Sequence, residues 1–203
     1  MRKLPFLLIA VLCLFQINTQ AQSDYKLNPA STMTITGTST IHDWTNKVNT
    51  INSEMIFSKI AAEKTVPSGG KLIEALKLDI PVKSIESPRG VVMNNKTYEA
   101  LKSDEFPEIT FLMKNNEITA VTDKSAGKFK INVTGDLTIA GFTKQVTLPL
   151  DGQKLPNSSF SFSGEYTFNM SDYNVTPPTA MFGQIVTGDK VTLAYNFIVD
   201  QAK

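Results

Sequence analysis

Apolar and polar residues alternate along most of this chain, and a period of two is the pattern of β-strands that bury one face. From Met33 to Ile41, the apolar residues Met33, Ile35 and Ile41 take odd positions while Thr34, Thr36, Thr38 and Thr40 take even ones. Leu76, Leu78, Ile80 and Val82 alternate with Lys77, Asp79, Pro81 and Lys83. Phe129, Ile131, Val133, Leu137 and Ile139 stand opposite Lys130, Asn132, Thr134, Asp136 and Thr138. Further runs are Ile109, Phe111 and Met113; Val146, Leu148 and Leu150; Phe160, Phe162, Tyr166 and Phe168; and Val191, Leu193, Tyr195, Phe197 and Val199. With a weaker run over 51–57, eight strands are predicted.

Turn-forming residues stand between or near these runs, at Ser68-Gly69-Gly70, Asp123 to Gly127, Ala140-Gly141, Asp151-Gly152 and Gly188-Asp189, and predict antiparallel neighbours. One segment departs from the pattern. Met93, Thr97 and Leu101 recur every fourth residue, so a short helix is expected over 92–103, capped by Asn94 or Asn95 and ended with help from Pro107. Eight strands, one helix and no βαβ rhythm define an all-β chain, expected to form an antiparallel up-and-down, lipocalin-like barrel, with a sandwich as the alternative. Eight strands is also the number at which a barrel either fills with its own side chains or holds one small ligand.

The first residues combine Arg2 and Lys3, an apolar stretch from Leu4 to Phe15, and a small-residue exit at Thr19-Gln20-Ala21. Residues 1–21 are therefore expected to be a cleavable signal peptide and 22–203 one domain, placing the product in the periplasm or outside the cell. The apolar stretch is shorter than the roughly 20 residues a membrane helix needs, so no stable membrane insertion is expected. Cys13, the only cysteine, lies inside that leader, leaving the processed chain without a disulfide, a thiolate nucleophile or a sulfur-ligated metal. Of 20 basic residues, loss of Arg2 and Lys3 leaves 18 against 19 acidic ones. A nearly neutral chain with no basic block does not indicate nucleic acid as a partner.

Little in the sequence supports catalysis. His42 is the only histidine, and its neighbour Asp43 should point to the opposite strand face, so a hydrogen-bonded structural role near a barrel end is expected. One histidine and no mature cysteine make neither a metal site nor a cofactor expected. Inward faces carry almost no carboxylates of the kind glycosidic chemistry uses. What remains is an apolar face rich in phenylalanine and methionine, which either packs as an ordinary core or lines a cavity. A ligand burying 300–400 Å² there would gain roughly 8–10 kcal/mol at about 25 cal/mol per Å², before ordering costs. Alternation alone leaves a third arrangement open, a membrane barrel with its apolar face turned to lipid.

Tyr98-Glu99-Ala100-Leu101-Lys102-Ser103-Asp104-Glu105-Phe106-Pro107-Glu108-Ile109-Thr110-Phe111 resembles the segment before a central strand in the YceI-like family. Gly135-Asp136-Leu137-Thr138-Ile139-Ala140-Gly141-Phe142-Thr143-Lys144-Gln145-Val146-Thr147-Leu148 is similar to that family's most recognisable hairpin. Thr38 to Trp44 and Ser171-Asp172-Tyr173 match weaker landmarks near the two ends, so the resemblance covers about 30–200. It implies a periplasmic barrel holding a polyisoprenoid or other long-chain amphiphile along its axis. Where the family often carries an Arg-Asp pair before the helix, this chain has Met93-Asn94-Asn95-Lys96, and Asn169-Met170 replaces an arginine before the last landmark. The resemblance therefore leaves a charged head-group contact at those places open.

The expected function is carriage or sequestration of an apolar or amphiphilic lipid, without catalysis; the alternative is a structural or interaction barrel with a filled core. Ile35, Leu78, Ile80, Phe111, Ile131, Val133, Phe162, Tyr166, Leu193 and Tyr195 are expected around the ligand, with Tyr98 closing an end. A homodimer is compatible with this reading.

Overall fold

The computed structural model describes residues 23–63 and 66–202. Its strands are β1 (Ser23–Leu27), β2 (Thr32–Ser39), β3 (Trp44–Val48), β4 (Asn52–Phe57), β5 (Ile73–Pro81), β6 (Ile85–Glu86), β7 (Glu108–Asp123), β8 (Lys128–Ile139), β9 (Phe142–Lys154), β10 (Phe160–Asn169), β11 (Thr179–Ala180) and β12 (Ile185–Gln201). One helix, α1 (Val91–Ala100), lies between β6 and β7. The leader and Cys13 lie outside the described residues.

Several of these strands are halves of longer ones. β1 and β2 both pair with β12 and are parted at 28–31, where Pro29 has no N–H for a ladder and Asn28 Oδ1 accepts the Ala30 N–H at 2.8 Å. β3 and β4 are likewise halves of one strand, as are β5 and β6, which a helical turn at Val82–Ser84 separates. Counted in this way, eight antiparallel strands run up and down in chain order and close when β12 pairs with β1 and β2.

The apolar face of the alternation turns inward. On β8, Phe129, Ile131 and Val133 are buried while Lys128, Lys130 and Asn132 are exposed. Ion pairs lie across the outer wall, Lys114–Asp136 and Lys130–Asp151, each at 2.7 Å. This is the reverse of a lipid-facing barrel. No described helix is long and apolar enough to cross a membrane.

The run Ile109, Phe111 and Met113 begins β7, which continues to Asp123 with its register shifted between Met113 and Asn115. Such a bulge exchanges the two faces. Odd residues Ile109 and Phe111 point inward before it, and even residues Asn116 and Ile118 after it. Two predicted turns are also strand interior. Gly152 lies within β9, where a Cβ would come within 2.4 Å of the Phe129 ring, and Gly188 lies within β12 beside a register shift. Glycine at 152 makes room for an aromatic side chain and reverses nothing. The Ala140-Gly141 hairpin is a true turn, with both residues at positive φ, 47° and 82°. Ile41, expected on a strand, sits in the β2–β3 turn and is exposed.

α1 starts at Val91 behind Gly90, not at an asparagine cap. Asn94 Oδ1 instead accepts the Ser87 N–H at 2.7 Å, tying the helix to the loop before it. It ends at Ala100, short of the predicted Ser103, and Lys102 at φ 53° turns the chain away.

Candidate functional site

The two ends of the barrel differ. At one, Tyr25, Phe57, Phe129, Phe160 and Phe162 pack ring against ring, with Tyr25 and Phe57 stacked at 4.1 Å between centroids and Phe57 and Phe160 at 5.4 Å. The described residues between β4 and β5, 58–63 and 66–72, cover that end, and their backbone pairs with Ile118 through Gly69 N–H at 2.8 Å and Gly70 C=O at 3.0 Å. Lys154 donates to the carbonyls of Ala61 and Glu63 from the other side. Burial holds its ammonium below the ordinary lysine value. This end is closed.

Above the aromatic layer the barrel is hollow, with a cavity of about 400 Å³. That volume falls in the usual range for small-molecule sites, roughly 300–1,000 Å³. Its wall includes Ile35, Leu78, Leu148, Leu150, Tyr166, Phe168, Leu193 and Phe197, all facing inward yet only partly buried because no side chain fills the space before them. On β12 the lining runs from Ile185 to Val199. Fourteen residue steps at about 3.3 Å, on strands tilted roughly 40°, give an axial reach of about 35 Å.

Nine of the sequence-predicted residues lie on this wall: Ile35, Leu78, Ile80, Phe111, Val133, Phe162, Tyr166, Leu193 and Tyr195. Phe162 also belongs to the aromatic layer that closes the end. The other two do not line it. Ile131 is fully buried and pairs in register with Ile118 on the closed side, below the hollow. Tyr98, partly buried against the core, donates its hydroxyl to Lys83 O at 2.9 Å and is not among the residues that line the hollow.

The open end is built by α1, the β2–β3 turn and the connection from β10 to β12. Asn46 on β3, almost wholly buried, donates from Nδ2 to Thr97 Oγ1 at 3.2 Å and fixes α1 over the rim. Met93, Lys96, Thr97, Ala100 and Leu101 form the helix face that meets the cavity, close to the predicted spacing of Met93, Thr97 and Leu101. Trp44 lies against Gly37, whose missing Cβ would be 2.4 Å from the indole, and donates from Nε1 to Thr38 O at 3.0 Å.

Polar groups on the wall are few. The Tyr195 hydroxyl is buried and has no hydrogen-bond partner among the described residues, and burial pushes its pKa up to about 12. Burial also raises the Tyr173 phenol strongly, with Tyr166 adding to the effect. His42 Nε2 lies 2.6 Å from Arg89 Nη1, and His42 Nδ1 lies 3.0 Å from Asp43 O. Because a guanidinium only donates, Nε2 accepts and the proton sits on Nδ1. The Asp43 carboxylate does not orient this ring, so the pair lacks the base geometry of a hydrolytic triad. Among the described residues no three His, Cys, Asp or Glu side chains gather as a metal site.

Arg89 and Lys96 were not singled out by the sequence. Arg89 lies in an aperiodic Ser-Pro-Arg-Gly loop that gives no hint of its direction, whereas Lys96 shares a helix face with Met93 and could have been placed from that spacing.

A closed antiparallel barrel, sealed at one end and hollow beneath a helix at the other, has the architecture of a small-ligand container. The chain belongs to the YceI-like family, whose domain model matches residues 25–199. A search of curated proteins finds no match. Among solved structures, Burkholderia cenocepacia BcnA is similar at 19% identity and TM-score 0.63, over 85% of this chain and 99% of its own. A polyisoprenoid-binding domain from Saccharophagus degradans implicated in plant cell wall breakdown is similar at 13% identity and TM-score 0.63, over 89% and 99%. The Campylobacter jejuni YceI protein follows at 20% identity and TM-score 0.55, over 78% and 84%. At these identities the likeness is one of fold.

Proposed function

We propose that this protein is an exported, non-catalytic binding protein that holds one long-chain apolar or amphiphilic molecule, polyisoprenoid-like or fatty-acid-like, along the barrel axis for carriage or sequestration. The observation that carries this reading is the unfilled hollow of about 400 Å³ beneath α1, walled by leucine, isoleucine and aromatic side chains. Family membership and the polyisoprenoid-binding character of one structural relative support it. Ile35, Leu78, Ile80, Phe111, Val133, Phe162, Tyr166, Leu193 and Tyr195 are proposed to contact the chain of the ligand. The basic and apolar leader supports export to the periplasm.

Two measurements test the proposal. Solvent extraction and mass spectrometry of the purified protein should recover a long-chain compound at near-stoichiometric amounts. The neutral dye N-phenyl-1-naphthylamine should bind the emptied wild type, and Leu193→Trp, which projects an indole into the hollow, should weaken its binding while thermal unfolding stays cooperative. A protein that neither carries such a compound nor binds the dye does not have this function.

A further inference from the structure

We propose that the open end selects amphiphiles whose head group is an oxyanion, carboxylate or phosphate, and that Arg89 and Lys96 hold that head while the tail lies in the barrel. The inference rests on the cavity being a ligand site and names the class of ligand.

Among the described residues no aspartate or glutamate lines the cavity, and the charged side chains on its wall are Arg89 and Lys96. Both stand at the open end. Arg89 reaches the cavity from the loop before α1 and Lys96 from the helix itself, and both line it. Neither is within ion-pair distance of a carboxylate among the described residues, whereas Lys77, Lys83, Lys114, Lys130 and Lys144 each have an acidic partner. Arg89 meets the neutral Nε2 of His42, and Lys96 donates to Thr179 O at 3.1 Å. These contacts use one donor of a guanidinium that has five and one of an ammonium that has three. They hold both cations toward the opening and leave donors free.

Two uncompensated positive charges beside a low-dielectric hollow attract an anion far more strongly than the same charges on an open surface. Carboxylates and phosphates accept charge-assisted hydrogen bonds from both groups. At the far end Lys154 is turned onto the Ala61 and Glu63 carbonyls, so the blind end offers no matching charge. The ligand is therefore held tail inward and head outward.

The test is displacement of N-phenyl-1-naphthylamine by palmitate, hexadecyl phosphate, hexadecanol and butyrate. Palmitate and hexadecyl phosphate should displace it at concentrations about tenfold lower than hexadecanol, as expected for hydrogen bonds to a charged group. In an Arg89→Gln, Lys96→Gln double variant this advantage should vanish while hexadecanol binds unchanged. Butyrate, which has the head without the tail, should not compete. Equal binding of hexadecanol and palmitate by the wild type overturns the inference and leaves the cavity a lipid site. Survival of the anion preference in the double variant overturns it as well, as does competition by butyrate. If the dye itself does not bind, the cavity reading fails, and this inference with it.

Discussion

Asn116 and Ile73 exchange two hydrogen bonds through the asparagine side chain, Ile73 N–H to Oδ1 at 3.1 Å and Nδ2–H to Ile73 O at 2.6 Å. The same Oδ1 accepts from Leu72 N–H at 2.9 Å. Asn116 is 2% exposed, so the side chain replaces a missing ladder where the β4–β5 loop closes over the barrel. Asn116→Ala would strand two buried N–H groups and a carbonyl. The expected cost is at least about 3 kcal/mol, since each of the three unsatisfied buried groups costs roughly 1–3 kcal/mol. Urea unfolding should show a lower midpoint at unchanged slope, with faster amide exchange at Leu72 and Ile73.

The Tyr195 phenol titrates at about 12 when folded, above the ordinary value of 10.0. A raised pKa means that the folded protein binds the proton more tightly than the unfolded chain. Its contribution is complete below pH 10 and falls as pH rises toward 12. The slope approaches about 1.4 kcal/mol per pH unit in that window. Tyr195→Phe should flatten the alkaline limb of the stability profile. Because the lost hydroxyl has no hydrogen-bond partner among the described residues, it should also cost nothing near neutral pH.

Trp44 is the single tryptophan, and it lines the cavity at the open end. Its emission should report how a ligand is oriented. Palmitate brominated beside its carboxylate should quench Trp44 more than palmitate brominated near its methyl end, and equal quenching would mean that the chain binds in both directions.

Gly37 and Trp44 pair across β2 and β3 with the indole against the glycine backbone. Gly37→Val would drive a side chain into the ring and displace the Trp44 Nε1 bond to Thr38 O. A loss of roughly 1–3 kcal/mol is expected from such overpacking. Differential scanning calorimetry and the position of the tryptophan emission maximum would record it.

The strand walls were legible because an inward face with nothing polar to satisfy admits only apolar residues, as on β8 from Phe129 to Ile139. The second half of β7 was not, because the bulge after Met113 exchanges odd and even positions and hides the inward Asn116 and Ile118 in what reads as polar sequence. Gly152 was misread because a glycine that accommodates the Phe129 ring looks the same as one that turns the chain. The wall of the cavity could be read as a face but not as a depth. Ile131 and Val133 alternate identically, yet only Val133 meets the hollow, since depth is set by a loop that the strand pattern does not encode. Arg89 was invisible because a loop residue's direction depends on what it finds, here the His42 ring.

The aromatic plug and the loop stitched down by Asn116 make the tube a cul-de-sac. For a ligand held as proposed, a newcomer cannot push the occupant out through the back, so turnover is serial: the resident must withdraw along the route by which it came before another is admitted. Unloading speed is then governed by the rim alone, and a second molecule competes for a vacancy without hastening it.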